Sequence, residues 1–316
     1  MLDKGSGNLL ADFVIIPSHG DNFVFPYEPI YNHVNRKYEN CLVLMFLYYD
    51  TGKKKYPILF DYWLSQIYYE ENEKYFSKSE IFKKALNYVL ESGLKFENII
   101  FDAGFFKKDV IEYIESKGLK YISRCSKNKN LTIERKNIRA DKLFINDYNG
   151  SFYYFHRYRE FLNDKVVKIF DFNAKVVAIA KDKAKLLDKD LIFLVTNNLN
   201  LLHTQILKLY KSRWAIETFF RTLKSYLGLS VFYRNNFQYV NDKINLALSA
   251  FFILQEVAFS LNKTIYQTLK AFQNGLFQEI FDQTIQNSSN YIYCCDLDYQ
   301  YSTISNISTF LNNGTK

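Results

Sequence analysis

Three features of the sequence predict an α/β fold. Over the first 125 residues, short apolar runs and helix-period stretches follow one another as strand, strand, strand, helix, strand, helix, strand. The stretch Leu201 to Leu229 has no Gly or Pro before Gly228, and its apolar residues recur at three and four, which predicts one long helix. At 316 residues the chain can bury a substantial core.

Asn8 to Ile16 (NLLADFVII) reads as a buried strand with Asp12 in its middle. A carboxylate among Leu, Ala, Phe, Val and Ile is costly unless a cation or hydrogen-bond donors compensate it. Residues 17–39 read as irregular and polar. Cys41 to Tyr49 is a second strand, and the turn Asp50-Thr51-Gly52-Lys53 leads into a third, Tyr56 to Phe60, as a hairpin. Asp50 and Asp61 lie beside turns or strand ends, where solvated aspartates are common, and the Lys53-Lys54-Lys55 run reads as a solvated tip. Ser77-x-x-Glu80 is a capping box opening a helix that Gly93 closes. Glu97 to Phe101 is the next strand, ending at Asp102-Ala103-Gly104. A helix from about Lys107 to Lys117 stops at Gly118, and Tyr121 to Arg124 forms a short strand.

Between Cys125 and Asn198 the pattern becomes β-rich, with strands predicted at Phe144 to Phe155, Val166 to Phe172, Lys175 to Ala180 and Leu191 to Thr196. Turns fall at Asn149-Gly150 and Asn173, and the segment is basic throughout. After Gly228 come two helical stretches, about 237–262 and 264–281, and a tail from Asn287, rich in Asn, Ser and Tyr, that is expected to be poorly ordered.

The net charge of +8 favours a polyanionic partner without identifying it. Four cysteines (Cys41, Cys125, Cys294, Cys295) show no metal-ligand spacing and four histidines are too scattered to supply it, so free thiols in a reducing cytoplasm are expected. The opening MLDKGSGN is too polar for a signal peptide. Ile244 to Leu261 is apolar but contains Gln255 and Glu256, which favours a buried helix over a membrane span. These features predict a soluble cytoplasmic protein without a membrane partner.

One row of side chains on the long helix stands apart. With Tyr210 as zero and about 100° per residue, Arg213 falls near −60°, Glu217 near −20° and Lys224 near −40°. A phenol, a guanidinium, a carboxylate and an ammonium on one face suit a site that holds a metal with the carboxylate and a phosphate between Arg and Lys. Tyr210-x2-Arg213-x3-Glu217-x6-Lys224, with the surrounding RWAIE and FRTLK, resembles the Tyr-Arg-Glu-Lys signature of bacterial insertion-sequence transposases of the DDE type, in the insertion-sequence-four group.

That resemblance implies an RNase H-like mixed sheet flanked by helices, interrupted by a β-rich insertion before the catalytic helix and followed by a helical C-terminal region. The expected division is 1–125 for the first part of the core, 126–198 for the insertion, 199–235 for the catalytic helix and 236–316 for the C-terminal region. It also implies a catalytic, metal-binding triad, assigned to Asp12, Asp102 (in FDAGF, which resembles the second-carboxylate motif) and Glu217. Members often follow the first aspartate with small polar residues, whereas Phe13-Val14 follow here. Two Mg2+ (or Mn2+) ions held by shared carboxylates would activate the attacking oxygen and neutralise the leaving one.

Tyr210, Arg213 and Lys224 are assigned to DNA phosphates, with Arg124 as a further contact. Trp214 is expected in the core, and Tyr153, Tyr154 or Tyr158 would stack on a base in place of an insertion tryptophan. The implied partners are double-stranded DNA, as transposon ends and target, and a second copy of the chain in a dimer on DNA. The implied reaction is phosphodiester hydrolysis followed by strand transfer. Asp12 arrives almost at once, so the N-terminal region that recognises terminal repeats in full-length members is expected to be lacking: the chain is a truncated copy, that region is encoded separately, or recognition resides elsewhere. The alternative is an inactive remnant that inhibits by binding DNA or by dimerising.

Overall fold

The structure, a computed structural model, describes residues 7–18, 28–32, 36–66, 69, 74–133, 136–144, 152–182, 190–233 and 236–273. The turn expected at Asn149-Gly150, the cysteines 294 and 295, the end of the last predicted helix and the Asn-rich tail lie outside these residues. By contact the chain divides into two units, one of Met1–Ala11 with Leu90–Trp214 and one of Asp12–Val89 with Ala215–Lys316.

In the first unit, the leading residues of β1 (Gly7–Pro17) pair in parallel with β5 (Phe96–Phe101), and β5 pairs in parallel with β6 (Tyr121–Cys125). Helix α2 (Lys108–Ser116) makes the crossover between β5 and β6 that a parallel pair requires. Leu9, Leu10, Ile99, Ile100, Tyr121 and Ile122 are fully buried, as continuous apolar runs in parallel strands should be. Strand β12 (Ile192–Thr196) pairs antiparallel with β6 and continues through β11 (Phe172–Ala180) and β10 (Glu160–Ile169). Short strands β7 (Asn130–Ile133) and β9 (Tyr153–Phe155) pair with β10, and β7 forms a hairpin with β8 (Lys136–Arg139). The β-rich segment therefore extends the sheet that begins at β5 and β6.

Details of that segment differ from expectation. The β7–β8 hairpin was not predicted, because its four-residue strands are too short and too polar to show alternation. Phe144 follows a single helical turn, α3 (Ala140–Leu143), rather than starting a strand. The β10–β11 turn falls at Phe170-Asp171 rather than Asn173, with φ of 51° and 72° at its two residues and Ile169 paired with Phe172. Two left-handed residues make the turn twist with the strands, at a steric cost to a ring-bearing residue such as Phe170. The unit is completed by α4 (His203–Ser212), which packs on β10, β12 and β6.

In the second unit, β3 (Lys37–Asp50) pairs antiparallel with β2 (Glu28–Asn32) and with β4 (Lys55–Trp63). Strand β2 lies in the stretch expected to be irregular. The β3–β4 hairpin is as predicted, with a bulge opposite Leu47-Tyr48 where Pro57 has no N–H to give. The Ser77–Glu80 capping box opens α1 (Lys78–Glu91), with Ser77 N–H donating to Glu80 at 2.9 Å and Glu80 N–H to Ser77 Oγ at 3.3 Å. Helices α5 (Trp214–Tyr226), α6 (Phe237–Ser260) and α7 (Ile265–Gln273) follow.

An aromatic cluster forms the core of this unit. Phe219 of α5 lies 5.3 Å from Phe46 and 5.0 Å from Tyr48 on β3, and 4.8 Å from Phe251 on α6, ring centre to ring centre. Helix α6 is long and apolar enough to cross a membrane by length and composition alone. It stacks Phe252 on Tyr56, and its Glu256 accepts hydrogen bonds from Lys54 and Tyr56 of the β3–β4 hairpin.

Cys41 and Cys125 are buried free thiols. Burial pushes Cys41 up to about 11, helped by the Glu39 carboxylate and opposed by Lys224, and pushes Cys125 up to about 12 against the pull of Lys129. Thiolate is the reactive form, so native protein at pH 8 should leave the Cys41 and Cys125 peptides unmodified by iodoacetamide, with both labelled once urea unfolds the chain. Fast labelling of either in native protein, read by peptide mass spectrometry, would contradict this packing.

Candidate active site

In the first unit the site is built at the ends of β5 and β6. The last described pair of the β1–β5 ladder is Ala11 with Phe101, the residues directly before Asp12 and Asp102 in the chain. Phe101 in turn pairs with Ser123 of β6. The fully buried Ser123 hydroxyl lies 3.1 Å from the Asp102 carbonyl and 3.0 Å from that of Arg124, within reach of both acceptors. Asp102 Oδ1 accepts the Gly104 N–H at 2.8 Å. A Cβ at Gly104 would sit 3.0 Å from the same oxygen, so a larger residue there would push the carboxylate aside by a few tenths of an ångström. Phe106, two residues on, packs 5.9 Å from Phe170 of the β10–β11 turn, and Lys129 Nζ lies 3.8 Å from the centre of the Phe170 ring.

Tyr210 of α4 is gathered with this group. Burial raises the pKa of its hydroxyl, Arg213 (by charge and by a hydrogen bond) and Arg124 pull it down, and the Asp102 carboxylate raises it again. The Arg213 guanidinium lies 5.8 Å from the Tyr210 ring centre. Asp102, Arg124, Tyr210 and Arg213 thus form one neighbourhood: a carboxylate, two guanidiniums and a phenol.

The single helix expected over Leu201 to Leu229 is two helices with a tightened turn at Arg213. The Ser212 hydroxyl donates to the Leu209 carbonyl at 2.6 Å, and Arg213 N–H bonds Tyr210 at 3.0 Å, three residues back. A serine bonding back to its own helix competes with the regular ladder. Tyr210 therefore belongs to α4, Arg213 to the junction, and Glu217 and Lys224 to α5. The 100° sum still applies to the last pair, seven residues apart on one helix.

In the second unit, Asp12 is half-buried in the middle of β1 and its Oδ1 accepts the Phe13 N–H at 2.8 Å. Glu217 is half-buried in the first turn of α5, whose opposite side buries Ile216, Phe219 and Leu223. Lys224 donates to the Ile15 carbonyl of β1 at 2.7 Å, and burial lowers its pKa. This bond ties the helix of Glu217 to the strand of Asp12. An ammonium has three donors, so one carbonyl does not exhaust it. Among the described residues no three His, Cys, Asp or Glu side chains stand together as a finished metal cage. The three assigned carboxylates are nonetheless the oxygen donors that a hard divalent cation takes.

Residues 78–251, more than half of the chain, match the family described as the transposase DDE domain. The chain belongs to that family. The matched segment of this transposase domain holds Asp102, Arg124, Tyr210, Arg213, Glu217 and Lys224, and Asp12 lies before it. None of the curated proteins compared matches the chain.

Other expectations for the transposase domain change with the structure. Trp214, expected in the core, is 57% exposed, because the first residue of α5 points away from the Ile216–Phe219–Leu223 side. Asp50 and Asp61, expected to be solvated, are buried: Asp50 accepts the Gly52 N–H at 2.7 Å and faces Lys55 at 3.4 Å, and Asp61 accepts the Tyr62 N–H within β4. Lys54 is paired with Glu256 at 3.0 Å rather than solvated. Of the three candidate stacking tyrosines, Tyr153 is exposed, Tyr154 packs on Phe161 and Tyr158 lies under Lys211. Ser123 and Phe170 were not singled out from sequence. A serine inside an apolar strand ending beside FDAGF was the available sign for Ser123, whereas Phe170 had none.

Gly104→Ala, by shifting the Asp102 carboxylate assigned to the site, should slow DNA cleavage by about ten-fold or more. Its melting temperature should stay within about 3 °C of wild type. An unchanged cleavage rate would show that Gly104 serves only the turn.

Proposed function

We propose that this chain is a DNA transposase of the insertion-sequence-four group that cuts a phosphodiester at transposon ends and joins the freed 3′-hydroxyl to target DNA. The observation that carries the reading is the β1–β5 register. Ala11 pairs with Phe101, and an aspartate follows each of them in the chain. Asp12 lies within β1 and Asp102 just past the end of β5, and the resemblance assigns both to a shared cation. Glu217, on a helix tied to β1 through Lys224, is assigned as the third carboxylate.

Asp12, Asp102 and Glu217 would hold Mg2+ or Mn2+, which when bound supplies an activated oxygen nucleophile and stabilises the charge on the leaving oxygen. The chain's own residues orient the DNA around that chemistry. Arg213 and Arg124 take non-bridging phosphate oxygens through their planar donor forks. The Tyr210 hydroxyl, whose pKa burial raises, stays protonated and donates a further hydrogen bond. Lys224, two turns further along α5 on the side of Glu217, adds a point charge. The proposed partners are double-stranded DNA and a second copy of the chain, in the bacterial cytoplasm beside the nucleoid.

The test is cleavage and joining of DNA carrying the cognate ends by purified protein with Mg2+. Asp102→Asn and Glu217→Gln should each lower cleavage by roughly a thousand-fold or more while leaving duplex binding in place. Full activity in Glu217→Gln would remove the triad. Wild-type protein that binds ends without cutting would instead match the inhibitory remnant, and cutting without regard to end sequence and without joining would mean a general nuclease.

A further inference from the structure

Helix α4 is fastened to β10 at both of its ends. Near its start, His203 Nδ1 meets Asp164 Oδ1 at 2.8 Å, and near its end Lys211 Nζ meets Glu160 Oε2 at 2.9 Å. The two partners on β10 are four residues apart and so on one face of the strand, separated by about 13 Å. The two partners on α4 are eight residues apart and so close to one side of the helix, separated by about 12 Å. Helix and strand therefore run antiparallel with matched spacings. Midway between the pairs lie Leu207 on the helix and Leu162 on the strand, both buried. Two further contacts reinforce the ends. Lys175 Nζ donates to the Leu201 carbonyl just before α4 at 2.8 Å, and Lys211 sits 3.9 Å over the Tyr158 ring.

A helix held at one point can pivot, whereas one held at two points along its length cannot roll or slide. Ile206, Tyr210 and Arg213 recur at four and three, on the side neighbouring His203, Leu207 and Lys211. Fixing the second row fixes the first. We infer that β10 is a two-point rail for α4, and that Glu160, Asp164, His203 and Lys211 are positioning residues that aim Tyr210 and Arg213 toward Asp102. The β-rich segment then has a role inside the site's own unit, separate from any DNA contact of its own. The inference rests on the reading of Tyr210 and Arg213 as phosphate ligands.

Glu160 is 9% exposed, so removing Lys211 alone leaves a carboxylate nearly buried without its ion-pair partner. The experiment compares Glu160→Lys, Lys211→Glu and the double exchange in the full chain. Amide hydrogen exchange over α4 and affinity for a short fluorescein-labelled DNA duplex are the two readouts. Each single change should lower α4 protection by about ten-fold and weaken duplex binding by about ten-fold, and the exchanged pair should restore both to within about three-fold. If a single variant does not fold, Glu160→Gln, Lys211→Gln and their combination give the same comparison, with the neutral pair expected to recover α4 protection. Unchanged α4 protection in the single variants, or no recovery in either double, would overturn the inference. Loss and recovery of α4 protection at constant duplex affinity would uphold the rail and remove Tyr210 and Arg213 as DNA ligands.

Discussion

The register of two parallel strands is the constraint on which the first unit depends. Because β1 and β5 pair Ala11 with Phe101, and β5 and β6 pair Phe101 with Ser123, the chain leaves the ladder at Asp102 beside a buried hydroxyl and an exposed arginine. A slip of one residue would turn each of these side chains to the other face. The apolar runs LLA, NIIF and YIS make such a slip costly, since it would expose one side of a buried sheet. The hydrophobic core sets the register, and the register sets where charge is presented.

The second unit meets a different requirement, that of holding a charged helix against a strand. Helix α5 buries Ile216, Phe219 and Leu223 in an aromatic core with Phe46, Tyr48 and Phe251, and its other side carries Glu217 and Lys224. Lys224 anchors that side to β1 through a backbone carbonyl, which no change of side chain at position 15 could remove. The tightened turn at Arg213 separates this helix from α4. Each helix can therefore follow its own packing surface: α4 on β10, β12 and β6, and α5 on the aromatic core.

Much of this was legible in the sequence, for identifiable reasons. Strands β1, β3, β5 and β6 announce themselves as apolar runs with glycine or turn residues at their ends, and α1 by its capping box. Asp12 was conspicuous because it is charged within such a run, and the Tyr-Arg-Glu-Lys spacing was conspicuous because on one unbroken helix four polar types would share a side. Helix periodicity does not see a serine bonding back to its own helix, so the break at Arg213 went unread. Nor does it see pairing between distant positions: Ser123 with Asp102, Phe170 with Phe106, and Lys54 with Glu256 are tertiary facts. The buried states of Asp50 and Asp61 were missed because closeness to a turn is a weak guide to exposure once a helix covers the hairpin.

The central claim is that three acidic side chains, distant in sequence, serve the same cations. Its most direct test is a titration of the full chain with Mn2+, followed by electron paramagnetic resonance. Asp12→Asn, Asp102→Asn and Glu217→Gln should each weaken Mn2+ binding by at least about ten-fold, and each pair of substitutions should weaken it by less than the product of the singles. Undiminished Mn2+ binding in any one of the three, or effects that multiply as for independent sites, would contradict the account.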